Sequence, residues 1–223
     1  MTAHDGESDG DFDRGVDGEF DRQVRRLTAL GYPTLAGLPE DGFTALLEPL
    51  RGAAGRSRPD PGARPEGGRV PFVLVVTREV VPIEEVVPLT TLAGRKRPGI
   101  VDRHYPEGDL ARFTPTVPLP NGRAYLLLDV DRGEEFCGAV PRDAMAVVAD
   151  RGRTPLTIEE GLALVVQYPE LLATNKCFSL GASRCGDRRV PALWISKGAP
   201  KLGWCWEGNP HSWLGMASAG GRA

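Results

Sequence analysis

The chain has 223 residues, of which 41% are hydrophobic, and a formal net charge of −3. This length is enough for one sizeable folded domain with a smaller appendage. The longest apolar runs are far shorter than a membrane-spanning helix, and the polar, acidic start has no apolar core of a secretory signal. These features predict a soluble cytoplasmic protein with no membrane partner, in which the four cysteines stay reduced.

The charge is unevenly distributed along the chain. Residues 1–21 contain eight acids and one base, which leaves 26 bases and 22 acids in the remainder. Because the first residues carry almost no apolar groups, residues 1–18 are predicted to be a disordered acidic leader.

A helical hairpin is predicted over residues 19–51. Phe20, Val24, Leu27 and Leu30 recur at helical spacing, and Gly31 then ends the first helix. A second short helix is expected from 41 to 50. Residues 52–70 are rich in Gly, Pro and Arg, which is the composition of a linker between this hairpin and a main domain over 71–219.

The main domain is predicted to be α+β. Residues 72–77 and 124–130 form apolar runs typical of buried strands, and Pro141 fits the first turn of a helix. Thr157-Ile-Glu-Glu160 has the pattern of a capping box at the start of another helix. Four short alternating segments follow, separated by turn residues, and predict an antiparallel β-meander at 178–183, 190–196, 201–206 and 213–217.

The segment 175–215 concentrates the scarce, chemically capable residues. It contains three of the four cysteines and all four tryptophans. Strand alternation places Trp204 and Trp206 on one face, and pairing with the strand of Trp194 would gather the tryptophans on one side of the sheet. The alternative is that the tryptophans are core residues. The predicted ligand-binding residues are Arg188, Arg189, Trp194, Lys197, Lys201, Trp204 and Trp206.

Such a surface suits a planar or anionic ligand, because aromatic rings stack and guanidinium or ammonium groups attract negative charge. Basic groups among aromatic ones also occur in single-strand nucleic-acid binding. A sequence pI near 5.7 and the absence of a ribonucleoprotein or zinc-finger pattern argue against nucleic acid as the partner.

Two kinds of chemistry are open to the cysteines and the histidine of this segment. Cys177, Cys185, Cys205 and His211 offer a ligand set that zinc prefers, although their spacing lacks the short Cys-x2-4-Cys knuckle of zinc sites. Alternatively, Cys185 acts as a nucleophile whose thiolate is favoured by nearby arginines, with Asp187 and His211 completing the arrangement. The alternative to both is that the thiols serve as small hydrophobic groups.

Long segments of the chain resemble an uncharacterised family of actinobacterial proteins that is carried as a domain of unknown function. The resemblance covers roughly residues 70–219 and rests on strings such as PFVLVVTREVVP, YLLLDVDRGEEFCGAVPRDAM, RGRTPLTIEEGLALVVQYPELL and NKCFSLGASRCGDRRVPALWISKGAPKLGWCWEGNPHSWLGMAS. It implies a soluble bacterial cytoplasmic protein and no particular activity or cofactor.

The sequence therefore leaves two functional hypotheses. One is a binding module for a small anionic or aromatic ligand or for a protein partner. The other is a small enzyme that uses a reactive cysteine or a Cys/His zinc centre within residues 177–211.

Overall fold

The structure, a computed structural model, describes residues 8–56 and 66–223, and the side chains of 15–55 and 67–223. The helices are α1 (Ser8–Ala29), α2 (Tyr32–Leu35), α3 (Glu40–Leu47), α4 (Arg51–Arg56), α5 (Ile83–Val86), α6 (Pro141–Asp150) and α7 (Ile158–Gln167). The strands are β1 (Arg69–Val76), β2 (Ile100–Val101), β3 (Thr114–Pro115), β4 (Ala124–Asp131), β5 (Thr154–Pro155), β6 (Cys177–Ser179), β7 (Ser183–Arg184), β8 (Arg189–Ser196), β9 (Ala199–Trp206), β10 (Leu214–Met216) and β11 (Ser218–Arg222).

The first sheet has four antiparallel strands in the order β1-β4-β11-β5. Its long strands read as continuous apolar runs, and Phe72, Leu74, Leu126 and Leu127 are all fully buried. Both faces of β1 are therefore covered, which explains why this strand shows no polar alternation. Helix α7 packs against β1 on one side of the sheet.

The second sheet has the order β10-β6-β8-β9-β2. Strands β6, β8 and β9 form the expected antiparallel meander. Two short edge strands differ from that expectation, because β10 pairs with β6 and β2 pairs with β9 in parallel. The α+β prediction is confirmed, and the meander is the antiparallel part of a mixed sheet.

The N-terminal helices share the core of the main domain. The amide of Gln23, fully buried on α1, donates to Phe72 O at 3.1 Å and accepts from Leu74 N at 2.8 Å. The Gln23 amide therefore provides hydrogen-bond partners for the unpaired edge of β1, as a neighbouring strand would. Glu19, one turn earlier, accepts a 2.5 Å hydrogen bond from the Tyr168 hydroxyl. The sequence predicted a hairpin set apart by a linker, whereas these contacts join it to the first sheet.

Two predicted boundaries also differ from the structure. Residues 8–18 of the expected disordered leader belong to α1, where Val16 is only 6% exposed and extends the apolar face of Phe20 by one turn. Residues 1–7 lie outside the described residues. The predicted linker 52–70 is shorter, since α4 runs to Arg56 and β1 begins at Arg69. Residues 57–65 of that linker are likewise outside the described part of the chain.

The capping box of α7 is confirmed and forms part of a larger buried network. The Thr157 side chain accepts from Glu160 N, and the Glu160 carboxylate accepts from Thr157 N at 2.8 Å. Glu160 is completely buried and also accepts from the Tyr125 hydroxyl at 2.9 Å and from Arg222 Nε at 2.6 Å. A helix cap is thus joined to β4 and β11 of the first sheet.

Candidate functional site

The tryptophans lie on both faces of the β8–β9 hairpin. Its turn consists of Lys197 and Gly198, with φ values of 50° and 75°, which fit a tight two-residue hairpin turn. The resulting register pairs Trp194 with Lys201 and Arg189 with Trp206. Directly paired residues share a face, so Trp194 lies opposite to Trp204 and Trp206. The prediction of one tryptophan cluster is therefore wrong. The two-residue turn at 197–198 sets this register and was the feature of the sequence from which the two faces could have been assigned.

Trp204 and Trp206 form an exposed aromatic pair at the open end of the hairpin. Their ring centroids are 4.8 Å apart with an interplanar angle of 67°. Two contacts restrain the Trp204 ring. Its Nε1 donates to His104 O at 3.3 Å, and the Arg189 guanidinium lies 5.5 Å from the ring centroid. Trp206 is 45% exposed. We refer to His104, Arg188, Trp204 and Trp206 as the Trp206 surface.

Arg188 is an exposed cation at the same end of the hairpin, but alternation from the Arg189–Trp206 pair starts its side chain on the opposite face from Trp206. Its side chain is 68% exposed, and its carbonyl accepts from Glu207 N at 2.9 Å, one position beyond the Arg189–Trp206 pair. A hydrogen bond from Arg184 lowers the pKa of Glu207 against the opposing effect of burial, and the charges of Arg188 and Arg142 lower it further. Three arginines thus surround one carboxylate, which leaves positive charge at this end of the hairpin.

Arg189 has an internal role instead of forming part of a charged rim. Its side chain is 11% exposed, with Nη1 2.6 Å from Asp109 Oδ2 and Nε 2.8 Å from Asp187 Oδ2. The guanidinium also lies over the buried Phe113 ring at 5.0 Å. Because two carboxylates already neutralise this guanidinium, it supports the Trp206 surface from beneath and offers no free charge to a ligand.

The remaining predicted binding residues lie elsewhere on the hairpin. Trp194 covers Gly203, where an added Cβ would come within 2.0 Å of the indole. Lys201 is 2.5 Å from Asp102 and lies over the Trp194 ring at 5.9 Å. Lys197 is exposed in the turn, at the opposite end of the eight-residue strand β9 from Trp206, a distance of roughly 25 Å.

The proposed nucleophile does not have the expected environment. Burial, together with a hydrogen bond to Asp187, raises the pKa of Cys185, so its thiol form is favoured. Asp187 is engaged with Arg189, and His211 packs on Trp213 with ring centroids 5.2 Å apart. The arrangement of Cys185, Asp187 and His211 as a catalytic group is not assembled in this structure.

The four predicted zinc ligands are also separated. Cys177 donates to Ala173 O at 3.7 Å, and Cys205 pairs with Val190 across the hairpin. Burial raises the pKa of Cys205 to about 11, which disfavours the thiolate that a metal needs. Within residues 8–56 and 66–223, no group of three or more His, Cys, Asp or Glu side chains is placed to hold a metal ion.

Sequence reasoning missed the contribution of the irregular segment before β3. Asp102 is buried, and its Oδ1 lies 2.5 Å from His104 Nδ1. Burial opposes ionisation of Asp102, but hydrogen bonds from Lys201 and His104 together lower its pKa. This carboxylate fixes the segment that carries His104 against β9. A polar spacing of Asp102-x-His104 was visible in the sequence, but no periodic pattern indicated its neighbours.

The fold and this surface define an α+β protein with exposed aromatic and basic side chains at one end of a mixed sheet. Over residues 26–223 the chain matches the model of a family of unknown function, DUF5701, and it therefore belongs to that family. The match begins near the end of α1 and includes α2, α3 and α4 as well as residues 70–219. The chain matches no curated protein and no solved structure. Among the helices of the described residues, none has the length and apolarity required to cross a membrane.

Proposed function

We propose that this chain is a cytoplasmic binding module that holds a planar, negatively charged small molecule at the Trp206 surface. The observation that carries the proposal is the 45% exposure of the Trp206 indole on a sheet whose other large apolar side chains are mostly covered. A large exposed aromatic side chain, with an exposed cation at the same end of its hairpin, is typical of a recognition surface.

The aromatic pair is preorganised for stacking. Trp204 is fixed by His104 and Arg189, and its edge contact with Trp206 restricts the outer ring. A ligand that stacks on Trp206 therefore orders few additional side chains, which lowers the entropic cost of binding.

Arg188 supplies the charge in this proposal, and its long, exposed side chain would reach the ligand around the open end of the hairpin. Its only ion pair among the described residues is a 3.7 Å contact with Glu207, which Arg184 approaches more closely at 2.6 Å. The Arg188 guanidinium can therefore bind an anionic group while Glu207 remains paired with Arg184. An aryl phosphate or aryl carboxylate combines the ring and the charge that this surface accommodates.

Thermal shift with a panel of nucleoside monophosphates, flavin mononucleotide and aryl carboxylates tests the proposal, followed by calorimetry on any compound that stabilises the protein. Both Trp206→Ala and Arg188→Ala should weaken binding about tenfold or more, or at least about 1.4 kcal/mol. Arg188→Ala should change the free energy of unfolding by less than about 0.5 kcal/mol, because the side chain is exposed.

Lys197→Ala is the matched control, since it removes an exposed cation from the other end of the same hairpin. It should leave the affinity unchanged. A stabilising compound whose affinity is the same in the Trp206→Ala and Arg188→Ala proteins would exclude this surface as the binding site.

A further inference from the structure

A separate cavity lies beside the first sheet, away from the Trp206 surface. Its volume is about 390 Å³, within the range of small-molecule sites. It is formed by residues 77–79 after β1, by Pro115 and residues 119–122 before β4, by Tyr125 of β4 and by Glu159 of α7. Pro115, Leu119 and Pro120 give it an apolar wall.

The polar wall of the cavity contains a partly buried ion pair that is incompletely hydrogen-bonded. Arg78 Nε contacts Glu159 Oε1, and the Glu159 side chain is 10% exposed. Arg78 Nη2 and Glu159 Oε2 are both buried and have no hydrogen-bond partner within the part of the chain that the structure describes. A buried donor and a buried acceptor left without partners each destabilise the fold, so their presence at a cavity points to an additional group that satisfies them.

From this geometry we propose that the cavity binds an α-amino acid with an apolar side chain. The carboxylate of the ligand accepts from Arg78 Nη2 after a small rotation of this guanidinium, which is about one-quarter exposed. The ammonium group donates to Glu159 Oε2 once this enclosed oxygen turns towards the cavity, and the side chain packs on Leu119 and the prolines. Hydrogen bonds between charged groups are about twice as strong as neutral ones, which favours a zwitterion over an uncharged amide.

The charge of the cavity wall supports the same choice. Its charged side chains are Arg78, Glu79 and Glu159, which sum to −1. A simple anion would add to this negative balance, whereas a zwitterion adds no net charge and places its ammonium group near the carboxylates.

A single water molecule is the competing occupant. Glu159 also borders a second, largely apolar space of about 10 Å³ next to Leu27 and Leu74, which is room for one water at most. Water in that space would satisfy Glu159 without any ligand in the larger cavity. Binding experiments distinguish the two occupants.

L-Leucine and L-phenylalanine are the probes, and the full chain is used throughout. L-Leucine at millimolar concentration should raise the melting temperature, whereas 4-methylpentanoate, which lacks the ammonium group, and 3-methylbutylamine, which lacks the carboxylate, should raise it much less. Arg78→Met and Glu159→Gln should each weaken L-leucine binding about tenfold or more. Trp206→Ala should leave it unchanged, which keeps this site independent of the Trp206 surface.

Leu119→Trp fills the cavity from a half-buried position and leaves the ion pair in place, so it tests the site even if the Arg78 variant folds poorly. It should abolish L-leucine binding without lowering the melting temperature of the protein. The proposal is overturned if neither probe stabilises the parent protein, or if L-leucine binds the Leu119→Trp and Glu159→Gln proteins as well as it binds the parent.

Discussion

Glu159 and Glu160 are neighbours in the first turn of α7, yet the protein treats their carboxylates differently. Glu160 is fully buried and receives hydrogen bonds from Thr157, Tyr125 and Arg222. Glu159 pairs with Arg78 at the wall of a cavity, and its Oε2 has no partner among the described residues. Since the same helix turn supplies both, the fold is able to satisfy a buried carboxylate completely here. The incomplete pair is therefore the one to examine for binding, and the complete one for stability.

The largest expected effect concerns the complete network. Glu160→Gln removes the charge that compensates the buried Arg222, whose side chain is 7% exposed. Leaving one partner of a buried ion pair uncompensated costs about 3–5 kcal/mol. Denaturant unfolding should show this loss, and Glu159→Gln, with its more exposed partner Arg78, should lose less than about 1 kcal/mol. Equal losses of unfolding free energy in the two variants would show that the two carboxylates do not differ in their contribution to stability.

Tyr125→Phe gives an intermediate effect, because Tyr125 belongs to both regions. Its hydroxyl donates to Glu160, while the residue also lines the cavity beside Glu159. Loss of one donor to a buried carboxylate should cost about 1–2 kcal/mol, and the apolar wall of the cavity should stay intact. Denaturant unfolding measures the first effect, and the affinity for L-leucine measures the second. A variant with full stability but weakened L-leucine binding would assign the hydroxyl to the cavity instead.

The smallest effect is expected from a third carboxylate, Glu19 on α1, which is intermediate in burial. Burial opposes its ionisation, but hydrogen bonds from Arg22, Tyr168 and Gln23 outweigh this and lower its pKa below the ordinary 4.5. A lowered pKa in the folded state contributes stability that is present above pH 4.5 and is lost as the pH falls through the folded value. Urea unfolding between pH 7 and 3 should therefore show a shallower acid loss in Glu19→Gln than in the parent. An unchanged pH profile would mean that Glu19 does not anchor α1.

Local patterns in the sequence predicted the features that local contacts create. The capping box was predictable because Thr157 and Glu160 are three residues apart, and the shared face of Trp204 and Trp206 followed from strand alternation. Arg222 lies 62 residues from Glu160, so no local pattern indicated that the cap is also an ion pair. Gln23 falls on the apolar face of α1, and nothing in the helical spacing showed that it would meet the edge of β1.

The candidate sites depended still more on distant contacts. The separation of Trp194 from Trp206 follows from the hairpin register, and the burial of Arg189 follows from Asp109, 80 residues earlier. The Arg78–Glu159 cavity joins three parts of the chain that are far apart in the sequence, so no local pattern indicated it. Composition identified the segment 175–215 as chemically unusual, but only the structure separates its exposed residues from its supporting ones.

The position of β11 in the first sheet has a consequence for synthesis on the ribosome. This strand inserts between β4 and β5, and Arg222 pairs with Leu127 of β4. Translation reaches it about 90 residues after β4, which at about 5–20 residues per second is roughly 5–18 s. During that interval the backbone edge of β4 that later pairs with β11 has no strand beside it. An unpaired edge of an apolar strand promotes aggregation. A nascent chain stalled before residue 218 would therefore need chaperone protection that the released protein does not.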